Sequence, residues 1–166
     1  METGCRSVPG LLGAHSCELA LVHPQIAPNT GNIARLCVAT GTTLHLVRPM
    51  GFTLEDRKLR RSAMDYWSRL RLRLHDDLEA FRAAMATRRL WLFEPDGEIP
   101  LWQAPFQDGD VLVFGSETTG LPKPWLQASR DRTVCIPQSA GERCLNVATS
   151  AGIALYECLR RLHNPG

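Results

Sequence analysis

The sequence predicts an α/β fold with a mostly parallel β-sheet and helices on both of its faces. Three observations lead there. Short, nearly unbroken apolar runs recur along the chain, at Leu19–Val22, Leu44–Val47, Leu90–Phe93, Val111–Phe114 and Thr133–Ile136. Each run is closed by a proline or a glycine-containing turn. Segments with helical spacing lie between them. Apolar residues at consecutive positions suit a strand buried on both faces, and alternation with helices is the pattern of a covered parallel sheet.

The elements follow in order. Residues 1–17 mix Gly, Pro, Ser and Cys without periodicity and read as a loosely ordered N-terminal extension. Residues 18–166 read as a single domain, a size that buries its own core without disulfide or metal staples. The first strand ends at His23-Pro24. A helix follows, with Asn29 or Thr30 as candidate caps, a face of Ile33, Leu36, Cys37 and Thr40, and Gly41 placed to end it in a left-handed turn. Leu44–Val47 is the second strand, closed by Pro49. Helical patterns appear at 55–63 and 76–86. Leu90–Phe93 runs into the turn Glu94-Pro95-Asp96-Gly97, and Val111–Phe114 runs into the loop Gly115–Pro122. Thr133–Ile136 stops at Pro137. From Asn146 a last helix carries Val147, Ala151, Ala154, Leu155, Cys158, Leu159 and Leu162 on a broad apolar face.

Bulk properties exclude several classes. The formal charge is only +2. Yet ten of the 19 Lys and Arg residues fall between positions 57 and 89, including Arg57, Arg60 and Arg61, and a local basic surface can attract phosphates at small net charge. The same run also fits a solvated helix face paired with Asp76, Asp77 and Glu79. The six cysteines form no C-x-x-C pair, and no histidine stands at zinc-finger spacing, so no metal site is expected. Without a secretory signal or an apolar run of membrane-spanning length, the chain reads as cytoplasmic with reduced thiols, and with no membrane partner. Cys37 and Cys158 sit in apolar helical patterns and read as core residues.

In parallel sheets, ligands bind beyond the carboxyl ends of the strands. The informative loops are therefore those that follow strands. Gly115 and Gly120 have the glycine spacing of a phosphate-binding loop, but Leu121-Pro122 stands where that motif needs Lys and Ser/Thr. Ser116 is not in a G-x-S-x-G nucleophile elbow. What remains is a glycine-bounded turn that lets backbone approach a ligand, or a plain strand–helix turn with a solvated Glu117. Asn146 fits a helix cap. Asn32 and Arg35, three apart, share a helix face, where Arg35 reads as a surface arginine or as an anion contact. Tyr156 lies off the apolar face of the last helix, with its hydroxyl wet or turned to a partner.

Taken together, these segments resemble one family. Asn29-Thr30-Gly31-Asn32-Ile33-Ala34-Arg35-Leu36-Cys37, Gly115-Ser116-Glu117-Thr118-Thr119-Gly120-Leu121-Pro122 and Ile136-Pro137 through Cys144-Leu145-Asn146-Val147-Ala148 are similar to the three ordered motifs of SPOUT RNA methyltransferases of the TrmH/TrmL group. The connectors Pro49–Phe52 and Leu59–Tyr66 match as well. The resemblance implies an α/β fold with a C-terminal trefoil knot, a rare exception to ordinary chain connection. It implies S-adenosylmethionine as cofactor, tRNA as substrate and partner, a homodimer, and methyl transfer to the ribose 2′-OH of the wobble nucleotide. Another RNA as substrate, or a non-catalytic RNA-binding homologue, are the alternatives. It places cofactor contacts on Phe93, Gly115, Ile136, Cys144 and Leu145, and catalytic or site-ordering roles on Arg35, Asn32, Glu117, Asn146 and Tyr156. Arg57, Arg60 and Arg61 are the expected RNA contacts. The chain departs from close relatives at Cys144, where serine is usual, and at Glu94-Pro95-Asp96-Gly97, where a Thr-Thr-Lys-Gly type of loop is usual.

Methyl transfer from a sulfonium to a hydroxyl has a good leaving group already, so it needs orientation and proton removal more than a metal. No histidine occurs in the three motifs. Arginine is a poor base. The role expected for Arg35 is therefore to orient phosphate or the 2′-oxygen and to stabilise developing negative charge.

Overall fold

The structure is a computed structural model that describes residues 14–55 and 66–163. Seven strands form one sheet: β1 (Glu18–Val22), β2 (Thr43–Val47), β3 (Leu72–His75), β4 (Leu90–Phe93), β5 (Ile99–Pro100), β6 (Val111–Phe114) and β7 (Thr133–Cys135). Their order is β3-β2-β1-β6-β4-β7-β5, and every pairing is parallel. Among the described residues four α-helices accompany it: α1 (Ala27–Thr40), α2 (Leu78–Ala84), α3 (Lys123–Ala128) and α4 (Val147–His163).

The strands are apolar at consecutive positions because both faces are covered. Successive side chains point to opposite sides of a strand. Leu19, Leu21, Leu44, Leu46, Trp91, Phe93, Leu112 and Phe114 join Ile33, Ala34 and Cys37 of α1 and Ala151, Ala154, Leu155, Cys158 and Leu159 of α4 in one core. Ala20, Val22, Val47, Leu92, Val111 and Val113 meet Phe81 and Met85 around α2 and Leu121 and Trp125 around α3 in the other. Cys37 and Cys158 are fully buried, as read from the sequence. Cys17, just ahead of β1, lies in the first core with its sulfur 3.5 Å from that of Cys158.

A buried carboxylate anchors the N-terminal end of the sheet. Asp110 accepts hydrogen bonds from Arg89 Nε (2.8 Å) and Nη2 (2.7 Å), from Trp91 Nε1 (2.7 Å) and from the Gln107 amide (2.8 Å). At the β1–β2–β3 edge, buried His45 joins His75 (Nδ1···Nε2, 2.9 Å) to the Glu18 carboxylate (Nε2···Oε2, 2.9 Å).

Some elements differ from the sequence reading. The alternating Arg69, Arg71 and Arg73 belong to the approach to β3 and to β3 itself, an edge strand, so they do not form a helix face. Charged side chains on an edge strand discourage pairing with other chains. Of the three acids expected to pair with this basic run, Asp77 instead caps α2 by accepting from the Ala80 amide (2.7 Å), and Asp76 pairs with Arg48. Glu79 pairs with Arg82 within α2. β5 is only two residues long, and its proline is tolerated because it ends the sheet. The pattern at 55–63, and with it Arg57, Arg60 and Arg61, lies outside the described residues.

Candidate functional site

The parallel sheet brings the loops after β1, β4, β6 and β7 to its carboxyl edge. The loop after β6 closes on itself: the Gly120 amide donates to the Ser116 carbonyl (2.9 Å) and the Ser116 amide to the Gly120 carbonyl (3.3 Å). A β-carbon on Gly115 would stand 2.2 Å from the Gly120 carbonyl carbon. Gly120 itself has φ +67°, the left-handed region that disfavours side chains. Both glycines are thus required by backbone geometry before any ligand is considered.

Glu117, at the apex of this loop, reaches the start of α1. Its carboxylate accepts from the Gln25 amide (2.8 Å), the Ile26 amide (3.2 Å) and the Asn29 side-chain amide (3.1 Å). The sequence reading made Asn29 or Thr30 the cap of α1. The helix instead begins at Ala27, its cap position is Ile26, and it has no side-chain cap from its own sequence and no acid in its first turn. Pro28 explains the earlier start, since its fixed φ and missing N–H suit a first turn. Glu117 supplies from another segment the acceptor and the negative charge that a helix N-terminus favours.

Asn29 is free to do something else. Its side-chain carbonyl accepts from Asn146 Nδ2 (2.9 Å), while Asn146 Oδ1 accepts from the Ala148 (2.8 Å) and Thr149 (3.4 Å) amides and so caps α4. A relay Glu117–Asn29–Asn146 therefore ties the loop after β6 to the starts of α1 and α4, joining all three sequence motifs. Tyr66 anchors α1 from the other side by donating to the Gly31 carbonyl (2.9 Å). Burial raises the Tyr66 phenol above its ordinary value, and the nearby Arg35 charge opposes that rise.

A second acid braces the same loop. The Glu94 carboxylate accepts from the Leu121 amide (2.7 Å), and its oxygens lie 3.0 and 3.1 Å from where a Gly120 β-carbon would be. Burial pushes the Glu94 carboxyl above the ordinary range; the Leu121 amide opposes this and the Asp96 charge adds to it. In the same turn a β-carbon on Gly97 would meet the Val134 carbonyl carbon at 2.3 Å, so the turn after β4 fits against β7 only with glycine there.

These loops line an open cavity of about 550 Å³. Its size is that of a small-molecule site. Phe93, Val134, Ile136 and Leu145 give it apolar walls, and the Gly115–Gly120 loop gives it backbone and hydroxyl groups. Of the expected cofactor contacts, Phe93, Gly115, Ile136, Cys144 and Leu145 all line it, as do Glu117 and Asn146. Asn32, Arg35 and Tyr156 do not; they are exposed on α1 and α4 outside its lining. The sequence reading missed Asn29 and Glu94 as site residues. Asn29 had been read as a helix cap, and Glu94 only as a departure in a turn. Among the described residues no group of three or more His, Cys, Asp or Glu side chains is placed to hold a metal ion, and no helix is long and apolar enough to cross a membrane.

Comparison with known proteins decides the family. The model of the SpoU rRNA Methylase family matches residues 16–156. The chain belongs to this family. A tRNA (cytidine(34)-2′-O)-methyltransferase of Methylovorus glucosotrophus is 43% identical over 145 residues, covering 87% of this chain and 94% of that protein. The Escherichia coli K12 protein of the same description is 39% identical over 150 residues, covering 90% and 96%. Among solved structures, one described as giving insight into the 2-OH methylation of C/U34 on tRNA superposes with a TM-score of 0.85 at 42% identity, covering 89% of this chain and 96% of that one. A SpoU methyltransferase of Streptomyces viridochromogenes in complex with AdoMet gives a TM-score of 0.75 at 26% identity, covering 89% and 58%. The sheet of this SpoU-family chain is the α/β sheet of these methyltransferases, and family membership implies the trefoil knot expected of its C-terminal part.

Proposed function

We propose that this SpoU-family chain transfers a methyl group from S-adenosylmethionine to the ribose 2′-OH of nucleotide 34 of tRNA, a cytidine or uridine. The observation that carries this reading is the cavity formed where the three motif loops meet, braced by Glu117, Asn29 and Asn146. It occurs in a chain whose relatives with that activity align over nearly their whole length.

The residues present fit the cofactor. Phe93, Ile136 and Leu145 offer apolar surface, the loop around Gly115 admits close backbone approach, and the charged groups among the described lining residues are carboxylates, which suits a ligand of net positive charge. When bound, S-adenosylmethionine supplies an electrophilic methyl group on a sulfonium. The protein's part is positioning. Glu117 and Asn146 hold the loops. Arg35 and Asn32, exposed on one face of α1, orient the ribose and its phosphate, with Arg35 stabilising the oxygen as its proton passes to water. Cys144 lines the cavity where a serine is usual, and a contact made through its backbone N–H would be unaffected by the weaker thiol donor.

The reading includes a homodimer in which the partner completes the site. Ile26 and Leu145 at the cavity, and Ile153 and Tyr156 on α4, are large hydrophobic residues left 38 to 52% exposed. A second copy that covers them would close the cavity and bring further groups to it. Arg57, Arg60 and Arg61 would carry the RNA backbone, with binding that weakens steeply with salt.

The test is incubation of the purified protein with S-adenosylmethionine and either unmodified tRNA or rRNA, followed by nuclease digestion and mass spectrometry. Methylated ribose at tRNA nucleotide 34 is expected. Methylation confined to rRNA, or none despite cofactor binding, would overturn the reading. Arg35→Ala should lower kcat by about a hundredfold or more with cofactor affinity within about twofold.

A further inference from the structure

The cavity wall is unusual in its charge. Among the described residues that line it there is no Lys, Arg or His, but there are Glu94 and Glu117. The two carboxylates are not equivalent. Glu117 is committed to three donors at the start of α1. Glu94 accepts one hydrogen bond, from the Leu121 amide, and among the described residues it has no ion-pair partner within 4.0 Å. Its neighbour Asp96 adds further negative charge, and burial makes its ionised form less favourable than in water. A half-buried carboxylate with one neutral donor and no cation is under-compensated. A cationic ligand would compensate it.

We propose that Glu94 makes the site select the positively charged methyl donor over its neutral demethylated product. This rests on the proposed function above. S-adenosylmethionine carries a sulfonium and has net charge +1 at neutral pH, whereas S-adenosylhomocysteine, the thioether left after transfer, has net charge zero. The two differ by one methyl group and one charge, so shape separates them weakly and electrostatics is the stronger discriminator. Glu94 also braces the glycine loop through Leu121, so the charge is held on a fixed wall of the cavity. Loss of the positive charge on transfer then weakens the hold on the product and favours its release. Glu94 acts by specificity and positioning; it transfers no proton in this account.

Glu94→Gln separates the charge from the brace, because the glutamine carbonyl can still accept from the Leu121 amide. The experiment is calorimetric titration of the wild-type protein and this variant with S-adenosylmethionine and with S-adenosylhomocysteine. Expected are tighter wild-type binding of the sulfonium compound, a drop of about tenfold for it in Glu94→Gln, and a change within about twofold for the thioether. An equal fall for both ligands would assign Glu94 a purely structural role and overturn the inference. Unchanged affinities for both would overturn it too. If the wild-type protein binds neither compound, the proposed function itself falls and takes the inference with it.

A second measurement needs no variant. Acidification from pH 7 into the carboxylate range brings Glu94, whose carboxyl burial raises above the ordinary range, toward its neutral form. The preference of the wild-type protein for the sulfonium compound should narrow over that range. A preference that stays constant would overturn the inference even if Glu94→Gln failed to fold.

Discussion

Glu117→Ala is the substitution that most directly probes how the three motif loops are held together. It removes an acceptor shared by two backbone amides ahead of α1 and by the Asn29 side chain. Helix α1 has no cap residue of its own to take over. Losing a cap costs about 1 kcal/mol. Losing a negative charge at a helix N-terminus costs about another half. Leaving the buried Asn29 amide without its acceptor adds up to about 1 kcal/mol, limited by access to the cavity it lines. The total is about 2 kcal/mol, which in a chain of this size is a fall in Tm of about 4–8 °C. Differential scanning calorimetry reads the fall, and hydrogen exchange should locate it in the first turns of α1. Glu117→Gln, which keeps an acceptor without the charge, should lose about half as much. A Glu117→Ala protein melting within 1 °C of wild type, or one destabilised without faster exchange at the start of α1, would refute the capping argument.

Three further outcomes follow from the same geometry. Gly115→Ala places a methyl group 2.2 Å from backbone of the Gly120 segment, so the loop must open; titration should show cofactor affinity lowered by tenfold or more while circular dichroism stays native. Asp110→Ala strips the buried acceptor from Arg89, Trp91 and the Gln107 amide, and urea unfolding should show a loss of about 3 kcal/mol, the low end for a broken buried pair because a third of the Arg89 side chain is exposed. Stability should also decline on acidification in two steps. Burial, reinforced by the His45 and Arg73 charges, holds His75 below the ordinary histidine value, so the native state resists protonation that the unfolded chain accepts near pH 6.5. Glu18 is held below the ordinary glutamate range, chiefly by its hydrogen bond with His45, so its contribution is full at neutral pH and is lost as pH falls through that lowered value. His75→Gln should flatten the first step and leave the second; an unchanged first step would contradict the assignment.

The fold was legible where burial on both faces left consecutive apolar residues, as at Leu19–Val22 and Val111–Phe114. β3 was not, because an edge strand carries its charge at alternate positions and Arg69, Arg71 and Arg73 looked like a basic patch. β5, two residues with a proline, leaves no periodicity to detect. Within the site, Gly115 and Gly120 were visible as turn-formers, and the cavity walls Phe93 and Ile136 as strand ends. The start of α1 was misplaced because its acceptor, Glu117, lies about 90 residues away in sequence. No local pattern encodes a cap delivered by another loop. The order of the strands, with β6 inserted between β1 and β4, was likewise beyond periodicity.

The measurement that tests the central claim most directly is a mass-spectrometric map of ribose methyl groups in total RNA from cells with and without this protein. The account predicts that 2′-O-methylation at nucleotide 34 of one or a few tRNAs disappears when the protein is absent and returns with the wild-type gene but not with Arg35→Ala. Identical maps in the two cell lines, or a loss confined to ribosomal RNA, would contradict it.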